Sequence, residues 1–253
     1  MEELGNKLSF ARLLDRLGLP QPRFWKLNSL AEIDNAPWEY PVVIKPPALE
    51  NSLGVKVCKN PAEAARHFCF LQTLCDKPFM AQEFIPGIDI DLSVLADRGK
   101  IAAWTIYAGV SAPGGGRIHR FLENPGYLQS GIRLVENLDY HGLLHIDGRL
   151  SEPDGEVKII ECNPRVFGSM HATAYAGVNF VTAGVAVARG MAPEPSAQIN
   201  GDLPSFRAAL SLALRGNLCA CLGSKAFRNE CRALMRDPLP ILAFSWLRRT
   251  GRV

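Results

Sequence analysis

The most informative part of the sequence is a pair of strand-like runs joined by a turn, Leu143-Leu-His-Ile-Asp-Gly-Arg-Leu150, Glu152-Pro-Asp-Gly155 and Val157-Lys-Ile-Ile-Glu-Cys-Asn163. The turn contains a proline, which presets φ, and a glycine, which accepts a positive φ. The pattern predicts an antiparallel hairpin folded about Asp154, which pairs position 147 with position 161. Opposed residues share a face with the residues two positions along each strand. We therefore expect Asp147, Glu161 and Asn163 to converge.

Two carboxylates held side by side repel each other, so one is protonated, a Lys or Arg neutralises them, or a cation lies between them. Oxygen ligands favour Mg²⁺, which typically binds carboxylates together with substrate phosphates and therefore implies a nucleotide. A solvated hairpin face that carries acidic residues is the alternative interpretation. His141 and His145 are close to Asp147 in sequence and are therefore candidate metal ligands, but packing or substrate contact is the favoured role for them.

Lys45 favours the nucleotide interpretation. It ends the apolar run Val42-Val43-Ile44 and two prolines follow it, so its ammonium projects from the end of a buried strand. A buried lysine needs an anion. The loop Asn51-Ser52-Leu53-Gly54 can offer backbone N–H groups and a hydroxyl to a phosphate, although its single glycine makes it a weak signal.

Composition and charge limit the class of protein. The 253 residues are 47% hydrophobic and 21% charged, which predicts a well-cored globular chain and excludes one that is mainly disordered. Neither a signal peptide nor a membrane-spanning stretch is predicted, and seven scattered cysteines suit reduced thiols, so we expect a cytoplasmic protein. Residues 203–253 carry nine Lys and Arg against two Asp and Glu, so the basic charge is concentrated near the C-terminus.

Further motifs stand in a fixed order around these residues: Asn6-Lys7 opening a helix, Tyr40-Pro-Val-Val-Ile-Lys-Pro46, Ser52-Leu-Gly-Val55, Gln82-Glu-Phe-Ile-Pro-Gly-Ile-Asp89, and Ile160-Glu-Cys-Asn-Pro-Arg165 with Gly168-Ser169. Together they resemble the ATP-grasp enzymes, in particular the carboxylate–amine ligases related to the ATP domains of carbamoyl-phosphate synthase and biotin carboxylase. The resemblance implies an α+β fold in which two α+β subdomains with antiparallel sheets sandwich ATP. It predicts an ATP-grasp domain over residues 1–190 with a small lid subdomain inserted over about residues 20–80. A basic, helical C-terminal extension is predicted over residues 191–253.

The resemblance also implies roles for individual residues. Those assigned to the nucleotide are Lys7, Lys45, Ser52, Gly54, Gln82, Glu83, Phe84, Ile85, Asp89, Arg117, Arg120 and Ile160. Among them, the lysines would hold the phosphates, residues 82–85 would meet the adenine edge largely through backbone groups, and either arginine would face the γ-phosphate. Asp89 would take the ribose hydroxyls, with Asp91, one alternation along the strand, as the other candidate. Asp147, Glu161 and Asn163 would bind Mg²⁺ or Mn²⁺. Arg165, as the phosphate-facing arginine, and Lys45 would be catalytic.

The implied activity is an ATP- and Mg²⁺-dependent ligase that activates a carboxylate as an acyl phosphate and couples it to an amine. Two alternatives stay open: a nucleotide-binding subunit or non-catalytic ATP-grasp protein that needs a partner chain, and phosphoryl transfer to an acceptor other than a carboxylate. Members of the family usually carry an N-terminal α/β domain, whereas six residues precede Lys7 here. This departure predicts a partner chain, a reduced family member or a truncated chain.

The expected partners are therefore a small-molecule carboxylic acid and an amine, and a chain that supplies the N-terminal domain. For the basic C-terminal segment we favour packing or homodimerisation over peripheral contact with an anionic membrane surface. Nucleic acid is not expected, because no nucleic-acid-reading module accompanies the charge.

Overall fold

The computed structural model describes residues 2–49, 52–113, 115–194, 197–216 and 218–237. The chain divides into a first unit, Met1–Ala102 with Asn124–Phe167, and a second unit, Ala103–Glu123 with Gly168–Val253. The described strands form one four-stranded and one six-stranded sheet. Neighbouring strands such as β1 and β4 or β5 and β8 run antiparallel, and helices lie between the strands in the sequence. The predicted α+β class is confirmed. None of the described helices has the length and apolar character needed to cross a bilayer.

The first unit holds most of the sequence motifs. Its elements are α1 (Glu2–Gly5), α2 (Lys7–Arg16), β1 (Phe24–Leu27), α3 (Ala31–Asp34), β2 (Val42–Lys45), β3 (Lys56–Cys58), α4 (Pro61–Leu71), β4 (Phe79–Glu83), β5 (Gly87–Asp97), the start of β6 (Lys100–Ser111), α5 (Pro125–Asn137), β8 (Gly142–Ser151) and β9 (Val157–Asn163).

The four-stranded sheet has the order β1-β4-β2-β3. Its apolar face packs on α4, which begins with the cap Asn60 and a proline at its first position. The buried cluster between them is Leu27, Ile33, Trp38, Val42, Ile44, Cys58, Ala64, Phe68, Leu71, Phe79 and Ala81. This core fixes strand β2 and therefore the place where Lys45 leaves it.

The N-terminal segment forms two helices, α1 and α2. The break lies at Asn6, whose side-chain oxygen accepts hydrogen bonds from the backbone N–H groups of Leu8 and Ser9 at 3.0 and 3.1 Å. Asn6 is thus the N-cap of α2 and places Lys7 at its first position. The backbone N–H of Lys7 donates to the carbonyl of Pro47 at 2.8 Å, which ties the start of α2 to the segment after β2.

Strands β5, β8 and β9 of the first unit run side by side, with β8 in the middle. The predicted pairing of Asp147 with Glu161 is confirmed, and Asp91 of β5 lies opposite Asp147 on its other side. The register shifts directly after this pair, because Gly148 pairs with Ile159 and leaves Ile160 as the extra residue of a β-bulge. The bulge brings Glu161 opposite Asp147.

The apolar and polar faces of these strands are separated by alternation. Leu92 and Ile146 face α5, where an added side chain at Gly131 would collide with Leu92. Their neighbours Asp91 and His145 consequently point to the opposite face. The polar face of β5, β8 and β9 is therefore the place where the predicted site residues collect.

The second unit contains the rest of β6, β7 (Arg117–Phe121), α6 (Met170–Tyr175), α7 (Phe180–Ala188), β10 (Gly201–Pro204), α8 (Phe206–Leu214), α9 (Leu218–Gly223) and α10 (Lys225–Arg236). Strand β7 pairs with β6 on one side and β10 on the other. Its buried cluster is Tyr107, Phe121, Ala172, Ala176, Leu203 and Ala226.

The chain after residue 190 is not helical throughout, because Gly201–Pro204 adds a strand to β7. Residues 238–253 of the predicted extension lie outside the described residues. The structure groups the described residues after 190 with β7 in the second unit. A domain limit at residue 190 and a lid over residues 20–80 stay predictions.

Candidate functional site

Lys7 and Glu161 form an ion pair at the centre of the first unit's polar face. Lys7 Nζ lies 3.2 Å from Glu161 Oε2 and donates to the carbonyl of Leu49 at 2.8 Å. Helix α2 presents the lysine and the bulged strand β9 presents the glutamate. One of the three arrangements expected for paired carboxylates, neutralisation by a lysine, is therefore present at Glu161.

Lys45 is the most deeply buried charged group of this region, with 2% of its surface exposed. Burial, reinforced by the nearby charge of Lys7, lowers the pKa of Lys45 to about 8, and the carboxylates of Glu161 and Asp147 oppose that shift. Additional negative charge nearby would stabilise an ammonium that burial has removed from water. The prediction that Lys45 is a buried lysine at the end of a strand is confirmed.

Asp147, Asn163 and Arg165 form a chain of hydrogen bonds. Asn163 donates through Nδ2 to Asp147 Oδ2 at 2.7 Å, and Arg165 donates through Nη2 to Asn163 Oδ1 at 3.2 Å. The predicted convergence of Asp147, Glu161 and Asn163 is confirmed. Arg165 itself is exposed at the end of β9, where its guanidinium can meet an anion.

His145 supports Asp147 from the other side. Its Nε2 lies 3.4 Å from Asp147 Oδ1, its Nδ1 shares a 2.8 Å hydrogen bond with Ser93 Oγ, and its ring stacks on Phe167 at 4.8 Å. The imidazole is therefore packed, as the sequence analysis favours. Asp91, 8% exposed, has a carboxylate oxygen within 4.8 Å of the ligand atoms of His145 and Asp147.

A cavity of about 240 Å³ lies beside this cluster, and Lys45 and Asp147 are not among its lining residues. It is lined by Leu4, Gly5, Lys7, Ala48, Leu49, Glu161, Cys162, Asn163, Pro164 and Arg165. Its walls offer two cationic side chains and the oxygen atoms of Glu161 and Asn163. Oxygen donors suit Mg²⁺ or Mn²⁺, and the cations suit phosphates. The donor set thus fits a divalent cation bound together with a polyphosphate.

The segment predicted to meet adenine, residues 82–85, begins in β4 and continues into the link to β5. Arg149 of β8 binds this link and the start of β5. The Arg149 guanidinium donates to the carbonyls of Ile85 and Gly87 at 3.2 and 2.7 Å and to Asp89 Oδ1 at 2.7 Å. Asp89, predicted to take ribose hydroxyls, is thus engaged by an arginine and largely exposed. Its role stays a prediction.

Gln82 stands out within this segment because it is buried and its side-chain Nε2 has no hydrogen-bond partner among the described residues. A buried donor without a partner costs about 1–3 kcal/mol, so such a group is usually kept for a ligand or a water molecule. Glu83 accepts from the backbone N–H of Arg23 at 3.0 Å, and Phe84 is half-buried.

The predicted phosphate loop is described from Ser52 onward; Asn51 lies outside the described residues. Ser52 and Gly54 both have positive φ, 59° and 74°, and the N–H of Val55 donates to the carbonyl of Ser52 at 3.1 Å. A side chain at position 54 would lie 2.7 Å from Leu71 and 3.2 Å from Pro46, so this turn needs glycine for space as well as for φ.

Arg117 and Arg120 lie on β7 of the second unit in different surroundings. Arg120 donates to both carboxylate oxygens of Asp202, at 2.7 and 3.0 Å. Arg117 extends over Gly109 and has no carboxylate partner among the described residues. Of the two arginines predicted to face a phosphate, Arg117 is the one whose guanidinium is not already paired.

The sequence comparisons agree with the motifs. A family model described as ATP-grasp in the biosynthetic pathway with Ter operon matches residues 76–205, just over half of the chain. The chain belongs to this ATP-grasp family. The N5-carboxyaminoimidazole ribonucleotide synthase of Synechococcus elongatus is 29% identical over 178 residues, which cover 66% of this chain and 44% of that protein. The chain spans about half, or less, of the length of the curated relatives that it matches.

Solved structures show the same fold. The biotin carboxylase domain of the Hydrogenobacter thermophilus 2-oxoglutarate carboxylase, solved with MgADP and bicarbonate, superposes with a TM-score of 0.66 at 19% identity, over 79% of this chain and 49% of that one. The L-amino acid ligase from Bacillus licheniformis gives a TM-score of 0.58 at 22% identity, over 71% of this chain and 46% of that one. The predicted ATP-grasp fold is thereby confirmed.

Some residues of this ATP-grasp chain that build the site were missed in the sequence. Arg149 and Asp91 reach it from β8 and β5, and His67 of α4 contacts the loop through the carbonyl of Gly54. The sequence indicates Asp91 only as the alternative to Asp89 for binding the ribose hydroxyls. Alternation along β5 shows that both share a face, but only the pairing of β5 with β8 shows that Asp91 meets Asp147. No local signal identifies Arg149 or His67.

Proposed function

We propose that the chain is an ATP- and Mg²⁺-dependent ligase that activates a carboxylate as an acyl phosphate and couples it to an amine. The observation that carries the proposal is the buried ammonium of Lys45, whose pKa is lowered by burial and by the charge of Lys7 even though Glu161 and Asp147 oppose the shift, so that its charge is not fully compensated. A polyphosphate supplies the missing negative charge, and membership of an ATP-grasp family supports ATP as its source.

In this proposal the chain's own residues position the phosphoryl group and neutralise its charge. Lys7 and Lys45 bind phosphate oxygens, and Arg165 stabilises the charge that develops during transfer. Glu161, Asp147 and Asn163 would hold Mg²⁺ or Mn²⁺, which supplies charge neutralisation when bound. Gln82, the backbone of residues 83–85 and Ile160 of β9 would bind the base, and Asp89 the ribose.

The proposed chemistry balances without a nucleophilic side chain. The γ-phosphoryl group moves to a carboxylate oxygen and ADP leaves. The nitrogen of an amine then attacks the acyl carbon, the C–O bond to phosphate breaks, and the nitrogen loses a proton, giving an amide and inorganic phosphate. In this proposal the acid and the amine are small molecules.

Thermal unfolding with and without MgADP tests the nucleotide site first. A ligand at 100 times its dissociation constant stabilises by about 2.7 kcal/mol, which corresponds to roughly 5–10 °C for a chain of this length. We expect such a shift in the wild type. A screen of acid and amine pairs for ADP release then tests the ligase. Release that requires both substrates supports it, whereas release with one acceptor alone indicates phosphoryl transfer to another group.

A nucleotide-binding subunit that needs a partner chain is the second candidate, because the residues assigned above account for the nucleotide and its cation alone. MgADP binding without ADP release under any acid and amine pair would favour it. Addition of a cell extract that restores turnover, followed by purification of the active complex, would separate this candidate from a ligase whose substrates were absent from the screen.

A further inference from the structure

His67 lies on the buried face of α4, a position at which a histidine is unexpected. The helix buries Ala64, His67, Phe68 and Leu71, the spacing of an amphipathic helix, and His67 is 6% exposed. Its ring stacks on Phe70 at 5.7 Å. A polar side chain at such a place requires a hydrogen-bond partner.

The partner of His67 is the turn after β2. His67 Nε2 lies 2.8 Å from the carbonyl oxygen of Gly54, and since a carbonyl only accepts, the imidazole donates. Gly54 also sits directly against Leu71 and Pro46, so α4 supports this turn by contact as well as by the hydrogen bond. Among the described residues, His67 makes the side-chain hydrogen bond to the backbone of residues 52–55.

The direction of this hydrogen bond has a consequence for the turn. With its carbonyl drawn toward α4, Gly54 keeps its positive φ, and Ser52 and Val55 are joined by their own backbone hydrogen bond. A turn held in one conformation presents its N–H groups to an anion without first losing conformational freedom. A turn released from α4 must be ordered by the ligand, which weakens binding.

We propose that His67 is a positioning residue that holds the turn of residues 52–55 in the conformation that receives the phosphates of the nucleotide. This inference rests on the proposed function, because it assigns the turn to phosphate. It concerns neither the base nor the sugar. Loss of the hydrogen bond should therefore weaken binding of ADP while leaving binding of adenosine unchanged.

The variants His67→Leu and His67→Gln test the inference, since glutamine retains a donor at a similar distance and leucine does not. Calorimetry should show MgADP binding about 5- to 10-fold weaker in His67→Leu, the effect of one hydrogen bond, with restoration in His67→Gln. Adenosine should bind equally to all three chains. Thr73→Val is the matched control, because it removes a side-chain hydrogen bond to the carbonyl of Phe70 near the end of the same helix and should leave MgADP binding unchanged.

Amide hydrogen exchange in the nucleotide-free protein gives a second, independent readout. The amides of Leu53 to Val55 should exchange faster in His67→Leu than in the wild type, and Thr73→Val should not change them. Unchanged exchange together with unchanged MgADP affinity would overturn the inference. So would an equal loss of ADP and adenosine binding, which indicates general destabilisation. Failure of the wild type to bind MgADP would instead overturn the proposed function and the inference with it.

Discussion

His145 in the first unit and His119 in the second both lie on strands of antiparallel pairs, but their pKa values move in opposite directions. Burial alone would lower the pKa of His145, but the hydrogen bond and charge of Asp147, with the charge of Asp91, outweigh it and raise the value. Burial, Arg117 and His171 all act in one direction on His119 and lower its pKa to about 4. Similar imidazoles thus report opposite local charge.

The difference shows how the two units treat ionic groups. In the first, acidic and basic side chains are interleaved, so that Glu161 meets Lys7 and Asp147 meets His145 and Asn163. In the second, Arg120 pairs with Asp202, but burial, Arg117 and His171 lower the pKa of His119 and no carboxylate is among the groups that shift it. The charged groups around His145 on balance favour its protonated form, whereas those around His119 disfavour it.

Among these substitutions, Lys45→Met should have the largest effect, because it removes a buried positive charge from the interleaved acidic and basic side chains of the first unit. ADP release should fall about 100- to 1,000-fold because a phosphate-binding cation is lost. The nucleotide-free chain should nevertheless gain roughly 1–3 kcal/mol of unfolding free energy at pH 7, because the burial of an ammonium whose pKa is lowered is removed. Urea unfolding and an ADP-release assay measure the two effects.

The protonation of Lys45 also predicts how the stability difference between the wild type and Lys45→Met changes with pH. Its pKa is about 8 in the folded chain against an ordinary 10.5, so the unfolded chain binds more protons between these values and wild-type stability rises with pH across that window. The advantage of Lys45→Met should therefore shrink as the pH is raised from about 8 to 10. Destabilisation by the substitution at pH 7 would mean that attraction to Glu161 and Asp147 exceeds the cost of burial.

Glu161→Gln should remove the carboxylate of the first unit that pairs with Lys7. We expect MgADP to bind about 100-fold more weakly, with a much smaller change for ADP in the presence of EDTA, because the loss concerns the divalent cation. Glu156→Gln on the same hairpin is the matched control, since Glu156 pairs with Lys158 at the exposed turn. Equal weakening with and without Mg²⁺ would contradict a metal-binding role for Glu161.

Arg117→Gln and Arg120→Gln sharpen the comparison within the second unit. Arg117→Gln should lower ADP release about tenfold with little change in the midpoint of thermal unfolding, since it removes a cation without a carboxylate partner. Arg120→Gln should lower activity less and the unfolding midpoint slightly, since it breaks a surface pair with Asp202 that contributes about 0–1 kcal/mol. The reverse order of effects on activity would assign the anion to Arg120.

The smallest expected effect concerns His119 itself. In the wild type, the imidazole proton signals should show no titration of His119 between pH 8 and 5.5, because its pKa is about 4. Arg117→Gln should raise this pKa, since one of the two neighbouring positive charges is removed. A His119 that titrates near pH 6.5 in the wild type would show that the second unit is not the cationic region described here.

The sequence predicted the hairpin and its convergent residues because a turn and two strands are local features. Lys45 follows from the apolar run before it. Counting outward from Asp154 gives the pair of Asp147 with Glu161, but the strands next to the turn pair about a centre between Pro153 and Asp154, and only the bulge at Ile160, which no local pattern indicates, restores the expected pair. Asn6 was placed correctly at the start of a helix, but the break that it makes between α1 and α2 was not anticipated. A capping side chain competes with helix continuation, and that competition is decided by the contacts of the preceding turn.

The remaining parts of the site depend on contacts between segments distant in the chain. His67 donates to Gly54 from a helix that begins at Pro61, and Arg149 reaches back to Ile85 and Gly87. Neither the residue type nor the spacing predicts such contacts, because arginine and histidine are common on strands and helices that have no such partner. The pairing of Arg120 with Asp202 requires β10, a strand that the sequence analysis assigned to a helical extension.

The bulge at Ile160 has a consequence for how this hairpin can change in evolution. Toward the turn, β8 and β9 pair in one phase, and beyond Ile160 they pair one residue out of step. The extra residue changes the register between the turn and the carboxylates, so that Glu161 rather than Ile160 lies opposite Asp147. Deletion of Ile160 would merge the two phases into one regular ladder, in which Glu161 follows Ile159 directly and still lies opposite Asp147, so the pair of carboxylates can survive the loss of the bulge.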